Sequence, residues 1–318
     1  MKYSGIGGQA VIEGIMMMKG EDYAVAVRRP DKEIEVKKDT YQSITKKAKI
    51  LQLPFVRGVF RFADSMIIGM RSLTYSASFF EDDEDAEPGK FEQFLDRVFG
   101  EKLESAIMAA VLVISFILAI GIFMLLPLGI ANLFKGVITS DHLMAVLEGV
   151  IRIAIFIIYI KLVSRMEDIR RTFMYHGAEH KCINCVEHGH PLTVKYVRES
   201  SKEHKRCGTS FILIVMVISI LMFMVIRVDT IWMRILSRII LVPVIAGISY
   251  EVLQCAGRSN SKFMDLVSRP GMWMQGLTTT EPDDSMIEVA IAATEAVFDW
   301  REYLTENFPG WEKQLEES

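Results

Sequence analysis

Four stretches almost empty of charge constrain this 318-residue chain more than any other feature. Ser105 to Phe134 contains no charged residue, and neither does Gly208 to Ile226. A helix needs only about 20 such residues to cross a bilayer. Leu143 to Ile160 is interrupted only by Glu148 and Arg152, and Ile235 to Leu253 only by Arg238 and Glu251. Four transmembrane helices are expected. The average composition, 51% hydrophobic with a net charge of -4, hides this clustering.

Loop charge gives the expected orientation. Arg165 to Arg206 holds nine Lys or Arg, whereas Leu128 to His142 holds only Lys135. Basic loops stay inside, so the loop at 165–207 and both termini should be cytoplasmic, in a multi-pass protein of the cell membrane. Met1 to Gly20 lacks the uninterrupted apolar core of a signal peptide. The four cysteines then face a reducing compartment, where thiols or metal ligands are expected rather than disulfides.

Alternation in Tyr23 to Arg28 and Glu33 to Val36, about a Pro30-Asp31-Lys32 turn, predicts strands. Gln9 to Met18 and Asp22 to Lys38 read as the strand-forming segments of a small antiparallel unit, with Gly5, Gly7 and Gly8 as a loop. Arg57 to Phe80 is apolar but carries Arg61, Asp64 and Arg71, and reads either as an interfacial helix or as a core helix of the N-terminal unit. Glu81 to Gly89 is an acidic linker, and Phe91 to Glu104 an amphipathic lead-in to the first span. The second span is expected to run on from Leu143 to about Glu187 as one rod, stopped by Gly189-His190-Pro191. Thr193 caps a short helix reaching His204, and Trp300 to Ser318 reads as a polar tail.

The fold expected is a mainly α membrane protein, with about four transmembrane helices, a small N-terminal cytosolic β-unit and an interfacial helix. Its parts are a β-rich unit at 1–56, the interfacial helix and linker at 57–92, and a four-helix core at 93–280. Cytosolic C-terminal helices follow at 281–318.

The chemistry concentrates in His176-Gly-Ala-Glu179-His180, an H-x-x-E-H order of the inverzincin type. Spacing i, i+4 puts both imidazoles on one helix face, roughly 40° apart, with Glu187 on the same stripe and Glu179 about 60° to one side. Two imidazoles and a carboxylate so placed can hold a divalent metal, zinc first by ligand type, and act on water. Glu251, a carboxylate closing the fourth span, is the expected third ligand; its alternative is a partner for Arg165, Arg258 or a Tyr hydroxyl. Glu179 is the expected general base. Glu187 lies about 10 Å along the axis from His180, too far for the same ion but suited to a second metal or a substrate group. His204 and Cys207 flank the third span at similar depth and are further candidate ligands. Cys182 and Cys185 point to the opposite helix face and read as thiols, while Glu148 and Arg152 are spaced for an i, i+4 ion pair.

Gly8-Gln-Ala-Val-Ile-Glu-Gly14, His176 to Lys181, Arg206-Cys-Gly-Thr-Ser-Phe211, Gly247-Ile-Ser-Tyr-Glu251 and Glu281-Pro-Asp-Asp284 occur in order along nearly the whole chain. Together they resemble the YqhQ-like family, bacterial membrane proteins of unknown function labelled predicted metal-dependent enzymes. Lys205 stands where that pattern would have proline, and Thr280 where it would have arginine. The resemblance implies membrane placement.

The expected function is metal-dependent hydrolysis of a lipid-borne or membrane-protein substrate at the bilayer surface. The competing expectation is a non-enzymatic scaffold or assembly factor whose polar site is structural. The bilayer is the expected partner, and nucleic acid is not.

Overall fold

The structure, a computed structural model, describes residues 1–80, 103–226, 230–258 and 261–316. The acidic linker, most of the lead-in helix and Arg227 lie outside the described residues. The chain forms two compact units, Met1–Phe80 with Ile160–Ser318, and Glu81–Tyr159.

The first unit is built on a four-stranded antiparallel meander: β1 (Ile6–Val11), β2 (Gly14–Lys19), β3 (Asp22–Arg28) and β4 (Ile34–Thr40). Gln9 to Met18 is a hairpin rather than one strand, because the chain turns at Ile12-Glu13, with Glu13 in the left-handed region at φ 47°. Gly7 and Gly8, read as loop, lie within β1. The turn expected at Pro30 to Lys32 joins β3 to β4.

Strand alternation gives the sheet two buried faces. Ile6, Ile15, Met17 and Ala26 pack on one side with helices α5 (Glu167–Glu187) and α10 (Asp284–Val297). Val11, Met16, Tyr23, Val25 and Val27 pack on the other with Ile68 of α1 (Val56–Ala77). The C-terminal segment is no polar tail: Trp300 and Leu304 of α11 (Trp300–Asn307), with Trp311, complete the first core, ahead of α12 (Lys313–Glu316).

Four helices are long and apolar enough to cross a membrane: Val113–Asn132, Asp141–Val163, Gly208–Val225 and Leu236–Gly257. Only 11%, 11%, 28% and 22% of these windows are buried within the chain, so most of each span presents apolar surface that hydrocarbon, not water, would solvate. The second unit carries α2 (Leu103–Ile120), a π turn, α3 (Leu126–Asn132) and α4 (Asp141–Val163). Glu148 and Arg152 form the expected i, i+4 ion pair on α4, at 2.6 Å. The rod expected to run to Glu187 is interrupted. Helix α4 ends at Val163, Met166 is extended (φ -70°, ψ 133°), and α5 starts afresh at Glu167 with two acidic residues in its first turn.

The remaining helices of the first unit are α6 (Val194–Glu199), α7 (Gly208–Val225), α8 (Ile231–Arg258) and α9 (Lys262–Thr278). Helix α6 ends five residues short of His204, and Thr193 occupies its N-cap position without making a side-chain capping bond. The first turn of α1 crosses α8 where two glycines meet: a Cβ on Gly58 would lie 2.7 Å from Tyr250 Cβ, and one on Gly247 2.3 Å from the Phe55 carbonyl. Small residues permit this approach, so α1 joins the sheet to a membrane-spanning helix. Its buried side carries Asp64, which accepts hydrogen bonds from Tyr41 Oη (2.9 Å), Ile44 N (3.0 Å) and Ser43 Oγ. Its other side exposes Phe62, Met66, Met70 and Leu73 along one stripe.

Candidate functional site

Helix α5 lies on β1, with Tyr175, Ala178, Cys182 and Cys185 turned into the apolar core. Burial pushes the Cys182 thiol well up and the Cys185 thiol to about 12, so both stay protonated and inert, as their helix face predicts. The opposite stripe carries the histidines. At Gly177, between them in sequence, a side chain would strike the Thr280 carbonyl at 2.2 Å, so only glycine lets the segment after α9 lie this close to α5.

The imidazoles of His176 and His180 face each other with centroids 4.4 Å apart. His176 Nδ1 lies 2.9 Å from the Thr278 carbonyl, and His180 Nδ1 2.7 Å from that of Lys202. A carbonyl only accepts, so each Nδ1 must donate, and each Nε2 keeps a lone pair. His176 Nε2 in turn lies 3.2 Å from Cys207 Sγ. One ligand atom from each of His176, His180 and Cys207 falls within 4.8 Å of the others, and no fourth His, Cys, Asp or Glu joins this group among the described residues.

The sulfur is delivered by a loop that α5 itself holds. Lys181 Nζ donates to the carbonyls of Arg198 and Ser200 (2.9 and 2.8 Å), and Asn184 Nδ2 to those of Ser201 and Glu203 (2.7 and 2.9 Å). From α9, Gln275 receives His204 N (2.8 Å) at Oε1, and its Nε2 donates to the His204 carbonyl (2.7 Å) and Ser210 Oγ (2.9 Å). Cys207 then caps α7, accepting from Thr209 N at 3.4 Å.

Glu251, expected as third ligand, is engaged elsewhere. Arg57 grips it with two hydrogen bonds (2.7 and 2.5 Å) and Phe55 N adds a third at 3.2 Å, so a carboxylate within the last two turns of the candidate span is neutralised from α1. The cation found against it is Arg57. The side chain that lies with the two histidines is that of Cys207, a further candidate from the sequence.

Glu179 is 5% exposed and sits against Gly8, whose backbone N–H bonds its carboxylate. Burial pushes its carboxyl up, against the opposing pull of His176 and that N–H. Glu187 is fully buried and anchors a separate knot. Ser4 donates through both N (2.9 Å) and Oγ (2.8 Å), and Arg206 pairs with the same oxygen. The second oxygen lies 3.6 Å from His204 Nε2, a long polar contact, and among the described residues neither atom has a closer partner. Burial pushes the Glu187 carboxyl up, but His204, Arg206 and Ser4 outweigh it and hold it down at about 2. Burial likewise depresses the His204 imidazole to about 4, leaving it neutral at pH 7. The His204 ring lies tilted beside that of His180 (centroids 5.8 Å, 46° between planes) but turns its Nε2 to Glu187.

Sequence reasoning missed Thr278, Lys202 and Gln275, because backbone carbonyls and a lone amide in an amphipathic helix carry no pattern. The profile of the family described as "Protein of unknown function (DUF1385)" matches residues 53–300. The chain belongs to this family, a group with four helices suited to a membrane in the present member. It is 34% identical over 286 residues to the "Uncharacterized protein YqhQ" of Bacillus subtilis (strain 168), covering 90% of this chain and 89% of that protein. No solved structure matches.

Proposed function

We propose that the protein is a metal-dependent hydrolase of the cell membrane, acting at the cytoplasmic surface on a lipid-borne or membrane-tethered substrate. The observation that carries the reading is the convergence of His176, His180 and Cys207, with both imidazoles oriented through Nδ1 and no fourth ligand among the described residues. Structural zinc sites close with four protein ligands, whereas catalytic sites keep one position open. Two imidazoles and a thiolate favour zinc. When bound, it would supply Lewis acidity toward water and toward the carbonyl or phosphoryl oxygen of a substrate.

Glu179 supplies the proton chemistry. A carboxyl raised by burial is suited to accept a proton from attacking water and return it to the departing alcohol as the ester bond breaks. The apolar stripe of α1 at Phe62, Met66, Met70 and Leu73 supports an interfacial position for that helix. The nine basic residues of 165–206 support a cytoplasmic site.

The test is release of fatty acid or headgroup from phospholipid vesicles containing the protein, with bound metal measured in the same samples. Glu179→Gln should cost roughly 10²–10⁴-fold in turnover while metal content stays unchanged. Turnover indifferent to chelation and to Glu179→Gln would refute the reading. Stoichiometric metal without metal-dependent turnover of any lipid ester would replace it by the scaffold reading.

A further inference from the structure

Beside the candidate site lies a groove of about 300 Å³ between α7, α8 and α9, at the lower end of ligand-pocket sizes. Its walls are apolar: Leu213 and Val217 from α7, Val252 and Ala256 from α8, Val267 and Pro270 from α9. Two of the three walls are helices suited to span a membrane, so the medium that reaches this groove is hydrocarbon.

One end of the groove is different. Polar side chains line it there, Lys205 and Ser210, two residues before and three after Cys207, while Ser268 of α9, the remaining polar lining residue, spends its hydroxyl on the Met264 carbonyl. Ser210 is fixed by Gln275, the residue that also clamps His204, and Gly271 packs against it closely enough that a Cβ there would lie 2.6 Å from Ser210 Oγ. The polar end therefore belongs to the same framework that holds the sulfur next to His176. An apolar trough that ends in a cation at the edge of two spans matches the build of an anionic phospholipid, with chain in hydrocarbon and phosphate at the surface.

We propose that this groove binds one acyl chain of an anionic membrane lipid, with the headgroup at Lys205, so that the ester region is presented to His176, His180 and Cys207. The presentation, though not the binding, rests on the hydrolase reading. A lipid held in this way would arrive by lateral diffusion and be positioned by its chain, leaving the side chains of α5 to act on the linkage.

The experiment uses the full-length protein in vesicles containing phosphatidylglycerol with a diazirine on its acyl chain, and maps the photolabel by mass spectrometry. Labelling at Leu213 and Val252 should saturate with lipid, whereas Ile239 and Val242, exposed on the outer face of α8, should label in proportion to lipid content. Two independent space-filling changes, Ile214→Trp on the α7 wall and Ala256→Leu on the α8 wall, should each cut groove labelling roughly tenfold, the loss that about 1.4 kcal/mol produces. Lys205→Glu should cut it roughly fivefold for phosphatidylglycerol, the scale of one basic group at an anionic surface, and leave a phosphatidylcholine probe unaffected. Labelling without saturation, alike in groove and outer face, would overturn the proposal. So would wild-type labelling in both filling variants, and so would a groove closed by a second copy of the chain. Metal measured in the same samples separates the two readings. Saturable labelling of a metal-free protein would sink the hydrolase and keep the groove, and unsaturable labelling of a metal-loaded protein would do the reverse.

Discussion

Glu187→Ala is expected to destabilise the protein by about 3–5 kcal/mol, the cost of stranding one member of a buried ion pair. The carboxylate is fully buried, and its removal leaves Arg206 facing Ser4 with no anion between them. Thermal unfolding in detergent would show a large drop in midpoint. The double change Glu187→Leu with Arg206→Met should recover part of it, because no charge is then left unpaired, although Ser4 loses the acceptor for its N–H and its hydroxyl. An equal loss in the double variant would show that packing, not charge, carries the effect. The same residue sets an acid limit. Its folded pKa of about 2 lies below its ordinary 4.5, so the stability it contributes is fully present above pH 4.5 and is lost as pH falls from there toward 2. The difference amounts to on the order of 3 kcal/mol. Glu187→Gln should flatten that part of the stability curve.

Cys207→Ala should abolish metal retention while the protein stays folded. Even outer-sphere partners of a metal site are worth about 10–100-fold in affinity, and loss of a direct ligand should exceed that. Glu251→Gln provides the contrast. It should weaken the join between α1 and α8, through loss of the charged pair with Arg57, and leave metal binding untouched. If Glu251→Gln released metal and Cys207→Ala did not, the sequence-based assignment of the third ligand would be restored.

The contact of Glu251 with Arg57, and of Cys207 with His176, shows where legibility ended. The four candidate spans are written in runs free or nearly free of charge, long enough to need no tertiary information. The helical face shared by His176, His180 and Glu187 follows from 3.6 residues per turn alone. A run poor in charge fixes where a span lies along the chain, however, and not which way its side chains face: the Gly58–Gly247 crossing sets Glu251 beside Arg57. The break at Ser164-Arg165-Met166 was hidden because none of these residues is glycine or proline, and the chain simply adopts an extended conformation at Met166. The hairpin inside Gln9 to Met18 was hidden too, since its turn uses Ile12-Glu13 rather than residues that announce one. The tail beyond Asp299 looks polar by composition, yet its two tryptophans and Leu304 are what the first core needs to close.

The most direct measurement is X-ray absorption at the metal edge of the purified full-length protein. Sharing of one zinc ion by His176, His180 and Cys207 predicts sulfur at about 2.3 Å together with nitrogen at about 2.0–2.1 Å, with the zinc edge itself lost in Cys207→Ala. A shell of nitrogen and oxygen alone, or protein that retains no metal when purified without chelator, would contradict it.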